Sequence, residues 1–391
     1  MLNSIWRHRT LLYLNPSTFS SSLNPNPLLH HLRSSFSLHF CTNTSDSTSF
    51  AASYLTHNFG FSPQFASKLC SSHRLRFKTS QNPDSVLNFF KNYGFSDSQL
   101  HNMIAKEPGL LSCNPSKRIL PKFQFLLSKG SSNSDIVNLI SKNPRLLSPS
   151  LENRIVPSYE LVYRFFQSDK DTLACVFHYP NILTEHIVAH NITMLIENRV
   201  SDSNIVRLLR ARSHTLQILN MMMLLEELQD LGFDPSKIKF SIALIAKTSV
   251  TKTRWNEKVD TFKKWGWSDE DVIEAFKKQP HCMLTSIHKI NLVMNFWVNQ
   301  LGWDAMAIAK IPDILSLSLE KRIIPRAAVV QFLLDKGLRN KSASLTSPFF
   351  MHEKMFLRKF IKCFENESSY LLELYEKKLN LAYTSDTTCM S

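Results

Sequence analysis

The chain has 391 residues, 43% hydrophobic and 20% charged, the balance of an ordinary folded protein rather than a disordered one. No apolar run reaches the length of about 18 residues that a membrane span needs, and eight glycines are too few for Gly-rich phosphate loops or a turn-dense β architecture. A formal net charge of +14 favours polyanionic partners, whether DNA, RNA or an acidic membrane surface.

Residues 1–45 contain no Asp or Glu, and the first acid is Asp46. They carry Arg7, Arg9 and Arg33 and a serine cluster at Ser20, Ser21 and Ser22. Ile5, Trp6, Leu11, Leu12 and Leu14 interleave with Arg7 and Arg9 as a basic amphipathic helix would. That composition predicts an organellar transit peptide over residues 1–45, removed between about residues 35 and 50. Arginines this close to the start favour a mitochondrial over a chloroplast leader.

A repeat follows. Its first unit is expected around Gly60, and the array is expected over residues 51–365. In Ser85 to Gly94, Val86, Leu87, Phe89 and Phe90 form one helical apolar face, and Gly94 supplies the left-handed residue that ends the helix. Ser96-Asp97-Ser98-Gln99 reads as a capping box opening a second helix, with Leu100, Met103 and Ile104 as its inward stripe. Pro108 has no amide hydrogen to donate and stops that helix. Leu110 and Leu111 then enter the core, and Pro121 opens the next unit, where a missing N–H is harmless.

The same marks recur. Pro108, Pro144 and Pro180 are 36 residues apart, and Pro280 and Pro312 are 32 apart. Glycines precede Pro108, Pro144 and Pro280 by 14 residues, at Gly94, Gly130 and Gly266. Gly60, Gly232, Gly302 and Gly337 fall at similar phases. Arg118-Ile119-Leu120-Pro121, Arg154-Ile155-Val156-Pro157 and Arg322-Ile323-Ile324-Pro325 complete the frame. Between Pro180 and Pro280 two degenerate units without the proline are expected, near His214 and Thr248. About eight units of 32–36 residues, each unable to bury its apolar face alone, predict an all-α solenoid. A closing amphipathic helix is expected over residues 366–383, with Leu371, Leu374, Tyr375 and Leu379 inward, followed by a disordered polar tail over 384–391.

The frame Gly-Phe-Ser-Asp…Pro-x-Leu-Leu-Ser…Arg-Ile-x-Pro resembles the mitochondrial transcription termination factor family, particularly its large plant branch. The resemblance covers about residues 55–380 and is weakest over 200–260. It implies helical triplets forming a curved half-ring whose basic concave groove holds double-stranded DNA or structured RNA. It also implies a role in organelle gene expression, in transcription and its termination or in RNA processing such as intron splicing. The tetratricopeptide pattern, of similar period, is absent.

Repeated cations on a concave face can track a phosphate backbone. Candidates are Arg118, Arg154 and Arg322, with Lys117 and Lys321 beside two of them. Arg207, Arg210 and Arg212, then Lys252 and Arg254, add two clusters in the units that lack the marking proline. An Arg before a helix-starting proline is equally suited to bonding carbonyls at the preceding turn, and charge runs are often only solvated. The Phe and Trp residues sit at core spacing. His186 and His190 lie four apart but lack a third ligand, and seven cysteines without a C-x-x-C pair give no zinc site. With no Walker, Rossmann, Gly-x-Ser-x-Gly or kinase motif, neither a cofactor nor an enzymatic activity is expected. A monomer that binds nucleic acid, without a membrane partner, is the reading reached. The alternative is a helical-repeat scaffold that binds other proteins.

Overall fold

The repeated marks become helices and turns in the computed structural model, which describes residues 43–340 and 342–388. The expected leader lies outside the described residues as far as residue 42, and the helix Asn43–Phe59 begins at its edge. The described residues are mostly helical, and no strand occurs among them. The chain is an all-α helical-repeat protein. Two modules divide the described residues: one holds 43–193 together with Leu209–Gln217, the other Met194–Leu208 and the described residues from Ile218 onward.

One repeat of the N-terminal module shows why the sequence folds as it does. A π-helical turn over Pro115–Ile119 is capped by Asn114, whose Oδ1 accepts from the Lys117 N–H at 3.0 Å. The helix Leu120–Ser128 follows, with Pro121 in its first turn and Phe123 and Leu126 buried three residues apart. Gly130 ends it at φ 95°. The Gly130 N–H donates to the Leu127 carbonyl and the Ser131 N–H to the Leu126 carbonyl, the paired bonds of a Schellman ending. Ser132 and Asp135 close a capping box on the helix Asn133–Lys142, which buries Ile136, Leu139 and Ile140. Pro144 starts a single 3-10 turn, Pro144–Leu147, and Leu146 and Leu147 are buried beneath it.

The Schellman ending explains why an aromatic so often follows the glycine. The residue after it folds back onto the helix just ended. Phe95 packs on Phe90 with ring centroids 5.0 Å apart, Trp267 stacks on Phe262 at 4.4 Å, and Trp303 meets Trp297 at 4.7 Å. Seven of the eight glycines have positive φ. Where a repeat lacks the glycine, the backbone conformation persists: Gln167 (φ 51°) and Arg199 (φ 58°) hold the same place. The isoleucine of each Arg-Ile-x-Pro segment closes a π-helical turn and is buried, at Ile119, Ile155 and Ile323.

The two expected degenerate units differ from each other. Near His214 the 3-10 turn survives without proline, over Ser213–Gln217. Near Thr248 no such turn forms. The helix Ile238–Ser249 passes through Val250 to Thr251, whose Oγ1 caps the helix Lys252–Lys264. With no proline to stop it, that second helix absorbs residues other repeats give to the turn. At the C-terminus the closing helix spans Ser368–Thr388, past the expected boundary at residue 383, and residues 389–391 lie outside the described ones. Leu371 and Tyr375 are buried, while Leu374 and Leu379 are half-buried.

Candidate nucleic-acid interface

The cations sort by what their donors already hold. Lys122, one residue after Pro121, is buried, and its ammonium donates to the Arg118 carbonyl at 3.0 Å and the Leu147 carbonyl at 2.7 Å. Lys258 does the same to Met283 (2.6 Å) and Thr285 (2.7 Å). Arg326, one residue after Pro325, donates to the carbonyls of Pro348 and Met351 and to Glu353. In each case a cation on one helix holds the carbonyls of the turn about 25 residues further on. Burial lowers the Lys258 pKa, and burial followed by the nearby Arg118 charge pushes Lys122 down to about 8. Lys122 and Arg326 each follow the proline of an Arg-Ile-x-Pro segment but Lys258 does not, and only the spacing to the next turn marks all three.

The repeated arginines before the prolines divide. Arg118 is exposed but donates through one guanidinium nitrogen to the Ser148 carbonyl at 3.0 Å, so the carbonyl it meets belongs to the following turn and not to the preceding one expected from the sequence. Arg322 is half-buried and spends two donors, on Phe349 (2.7 Å) and Met351 (2.9 Å). Burial and then the Arg326 charge lower its pKa. Arg154 is half-exposed and makes no hydrogen bond or ion pair with the described residues. Lys117 and Lys321 are exposed.

The two central clusters are mostly outward. On the helix Asp202–Ala211, Arg207 is exposed without a partner among the described residues. Arg210 is also exposed, but it pairs with Asp171 at 3.4 Å and lies over the Phe166 ring at 5.1 Å. Arg212, just past the helix, is exposed and unpaired among the described residues. Lys252 is exposed, and Arg254 is held by Glu257 at 2.8 Å. Lys247, next to this second cluster, is fully buried against Glu227 (2.7 Å) and the Trp255 ring (4.5 Å).

A guanidinium with all donors free can clasp a phosphate with two parallel bonds, whereas one already clasping carbonyls presents fewer. The cations best placed to meet a polyanion are therefore Lys117, Arg154 and Arg212 in the N-terminal module and Arg207 and Lys252 in the C-terminal module. The aromatics serve packing: Trp255, Trp267, Trp297 and Trp303 are buried, while Phe165, Phe166 and Trp265 are half-buried. His186 and His190 are exposed, and no group of three or more His, Cys, Asp or Glu gathers among the described residues. No described helix is long and apolar enough to cross a membrane.

The family model described as mTERF matches residues 87–244 and 241–357, well over half of the chain. Among curated proteins, "Transcription termination factor MTERF15, mitochondrial" of Arabidopsis thaliana is 31% identical over 80 residues. That stretch is 20% of this chain and 18% of the relative, so the chain matches less than a fifth of the relative's length.

Proposed function

The chain belongs to the mTERF family, as a plant-type member, and on that premise we propose that it binds organelle nucleic acid through exposed cations on its repeats and so regulates organelle gene expression. The family is one of nucleic-acid-binding regulators rather than enzymes. The observation that carries the reading is the sorting of the cations. Lys122, Lys258 and Arg326 are consumed by turn carbonyls, yet Arg207 and Arg212 stand exposed with every donor free among the described residues. Double-stranded DNA and structured RNA offer the same ladder of phosphates, and contact with that ladder supports a role in transcription and its termination or in RNA processing. The acid-free leader and the mitochondrial relative support import into mitochondria. A fluorescent fusion of residues 1–60 tests this: exclusive plastid fluorescence overturns the compartment, and diffuse cytosolic fluorescence overturns the leader.

Binding should weaken steeply with salt, because each neutralised phosphate releases counterions. Changing Arg207 and Arg212 together to Gln should weaken binding to every sequence and lower the log–log salt slope by about one unit per lost contact. Arg210→Gln should do less, because that guanidinium is shared with Asp171. Binding that is absent at low salt, or an unchanged slope in the double variant with unchanged circular dichroism, would leave the protein-binding scaffold as the better reading.

A further inference from the structure

Near the C-terminus of the described chain an open cavity of about 800 Å³ lies within the C-terminal module. Its lining includes Arg339, Arg358, Lys359 and Lys362 and, among the described residues, no carboxylate. The size is that of a small-molecule site. Four cations facing one cavity without an acid repel one another, and an anion would relieve that repulsion.

The lining is not only charged. Leu333, Leu338, Phe360 and Phe364 give it an apolar wall, and Asn340 and Ser347 add neutral polar groups. Arg339 joins the two halves. Its guanidinium lies over the Phe360 ring at 5.1 Å, and one terminal nitrogen donates to the Ser344 carbonyl at 2.7 Å. Its Nε is buried without a hydrogen-bond partner, and burial lowers its pKa. A buried donor left unpaired is costly and marks a place where an acceptor is missing. Lys359 and Lys362 are exposed, with no partner among the described residues.

We propose that this cavity binds a nucleoside phosphate, its phosphate held by Lys359, Lys362 and Arg358 and its base laid against the apolar wall beside Arg339. A bare phosphate would leave that wall unused, and an apolar ligand would leave the cations unpaired. The site is separate from the exposed cations proposed to track a backbone, since none of Lys117, Arg154, Arg207, Arg212 or Lys252 lines it.

The test is calorimetric titration of the full chain with AMP, adenosine and inorganic phosphate, and of the Lys359→Gln/Lys362→Gln variant with AMP. AMP should bind, adenosine should not, and the variant should lose about tenfold or more in affinity. AMP should also slow alkylation of Cys363, an exposed thiol in the lining. No AMP binding, an unaffected variant or an unprotected Cys363 overturns the site, and phosphate binding as tightly as AMP overturns the nucleoside. Displacement of AMP by a 5′-phosphorylated tetranucleotide, but not by its 5′-hydroxyl form, supports the site with strand ends as the source. AMP binding without that displacement supports it with free nucleotides as the source. The Arg207→Gln/Arg212→Gln variant should bind AMP normally, and the Lys359→Gln/Lys362→Gln variant should bind long duplexes with an unchanged salt slope. Failure of either reading is thus visible without the other.

Discussion

Two turns of the N-terminal module perform the same task with different chemistry. The proline-marked turn Pro144–Leu147 is tied down by a buried ammonium, Lys122, on the Leu147 carbonyl. The proline-free turn Ser213–Gln217 is tied down by a buried amide, Asn191, on the Leu216 carbonyl at 2.9 Å, with Ser213 Oγ donating to Leu209. Both bonds span 25 residues, so the architecture requires a donor at that place and tolerates a change in its charge. The difference matters for function. The Pro144 turn spends a cation inside, while the Ser213 turn spends none, and Arg207, Arg210 and Arg212 near it are exposed. Counting basic residues along the sequence therefore overstates the charge available to a ligand wherever a cation is spent inside, as at Lys122, Lys258, Arg326 and Lys247.

The strongest way to test this is to remove an internal cation where it holds most. Arg326→Met should destabilise the C-terminal module by about 3 kcal/mol, because it strands the Pro348 carbonyl, takes one of two donors from Met351 and removes the ion pair with the half-exposed Glu353. Chemical denaturation read by circular dichroism measures it, and a loss under about 1 kcal/mol would mean these carbonyls find other donors.

The direct comparison comes next. Lys122→Met should cost about 1–3 kcal/mol, and Asn191→Ala about 1 kcal/mol, since bonds from a charged donor outweigh those from a neutral one. The pair should also differ in pH response. The Lys122 pKa in the fold is about 8 against an ordinary 10.5, so between those values the unfolded chain holds a proton that the folded chain has released. Stability therefore rises with pH in that window, and the excess over Lys122→Met should grow from pH 8 to 10.5. No such growth is expected over Asn191→Ala. Parallel curves for both variants would show that Lys122 is held without loss of proton affinity.

Much of the fold was legible because its marks are local. Gly130, Ser132 with Asp135, and Pro144 each act within a few residues of themselves, so their spacing alone gave the helices and their ends. The anchors were not legible for the opposite reason. Nothing near Lys258 distinguishes it from a solvated lysine, and the partners of Lys122 and Lys258 alike lie in the next turn. The exposed Arg118 looks, in sequence, just like Arg154, yet only the first meets a carbonyl, at Ser148. The junction at Val250 was missed because the absence of a proline reads the same whether the turn survives, as at Ser213–Gln217, or is lost. The cavity beside Arg339 drew no attention because its cations, at 339 and at 358–362, belong to different stretches of chain.

The smallest expected effect concerns a glycine mark that the central region lacks at one place and still obeys. Arg199 stands where other repeats have glycine, at φ 58°, and the bonds of the ending are intact: its N–H donates to Ile196 and the Val200 N–H to Leu195, both at 3.0 Å. A side chain in the left-handed region costs about 1–2 kcal/mol through the clash of Cβ with the following carbonyl. Glycine would remove that clash, while the unfolded chain would gain about 0.4–1 kcal/mol of conformational freedom to lose on folding. The Arg199 side chain is exposed and makes no hydrogen bond, ion pair or ring contact with a described residue that glycine would forfeit. Arg199→Gly should therefore stabilise the protein by about 0.5 kcal/mol, the strain relieved slightly exceeding the entropy lost. The reverse change in a marked repeat, Gly130→Ala, should destabilise, although nothing lies within 4 Å of the added Cβ, because its φ is 95°. Urea midpoints of the two variants measured side by side decide the matter. Opposite shifts show that one backbone conformation is demanded at both places, and a destabilised Arg199→Gly shows that the central repeat has adapted to its arginine.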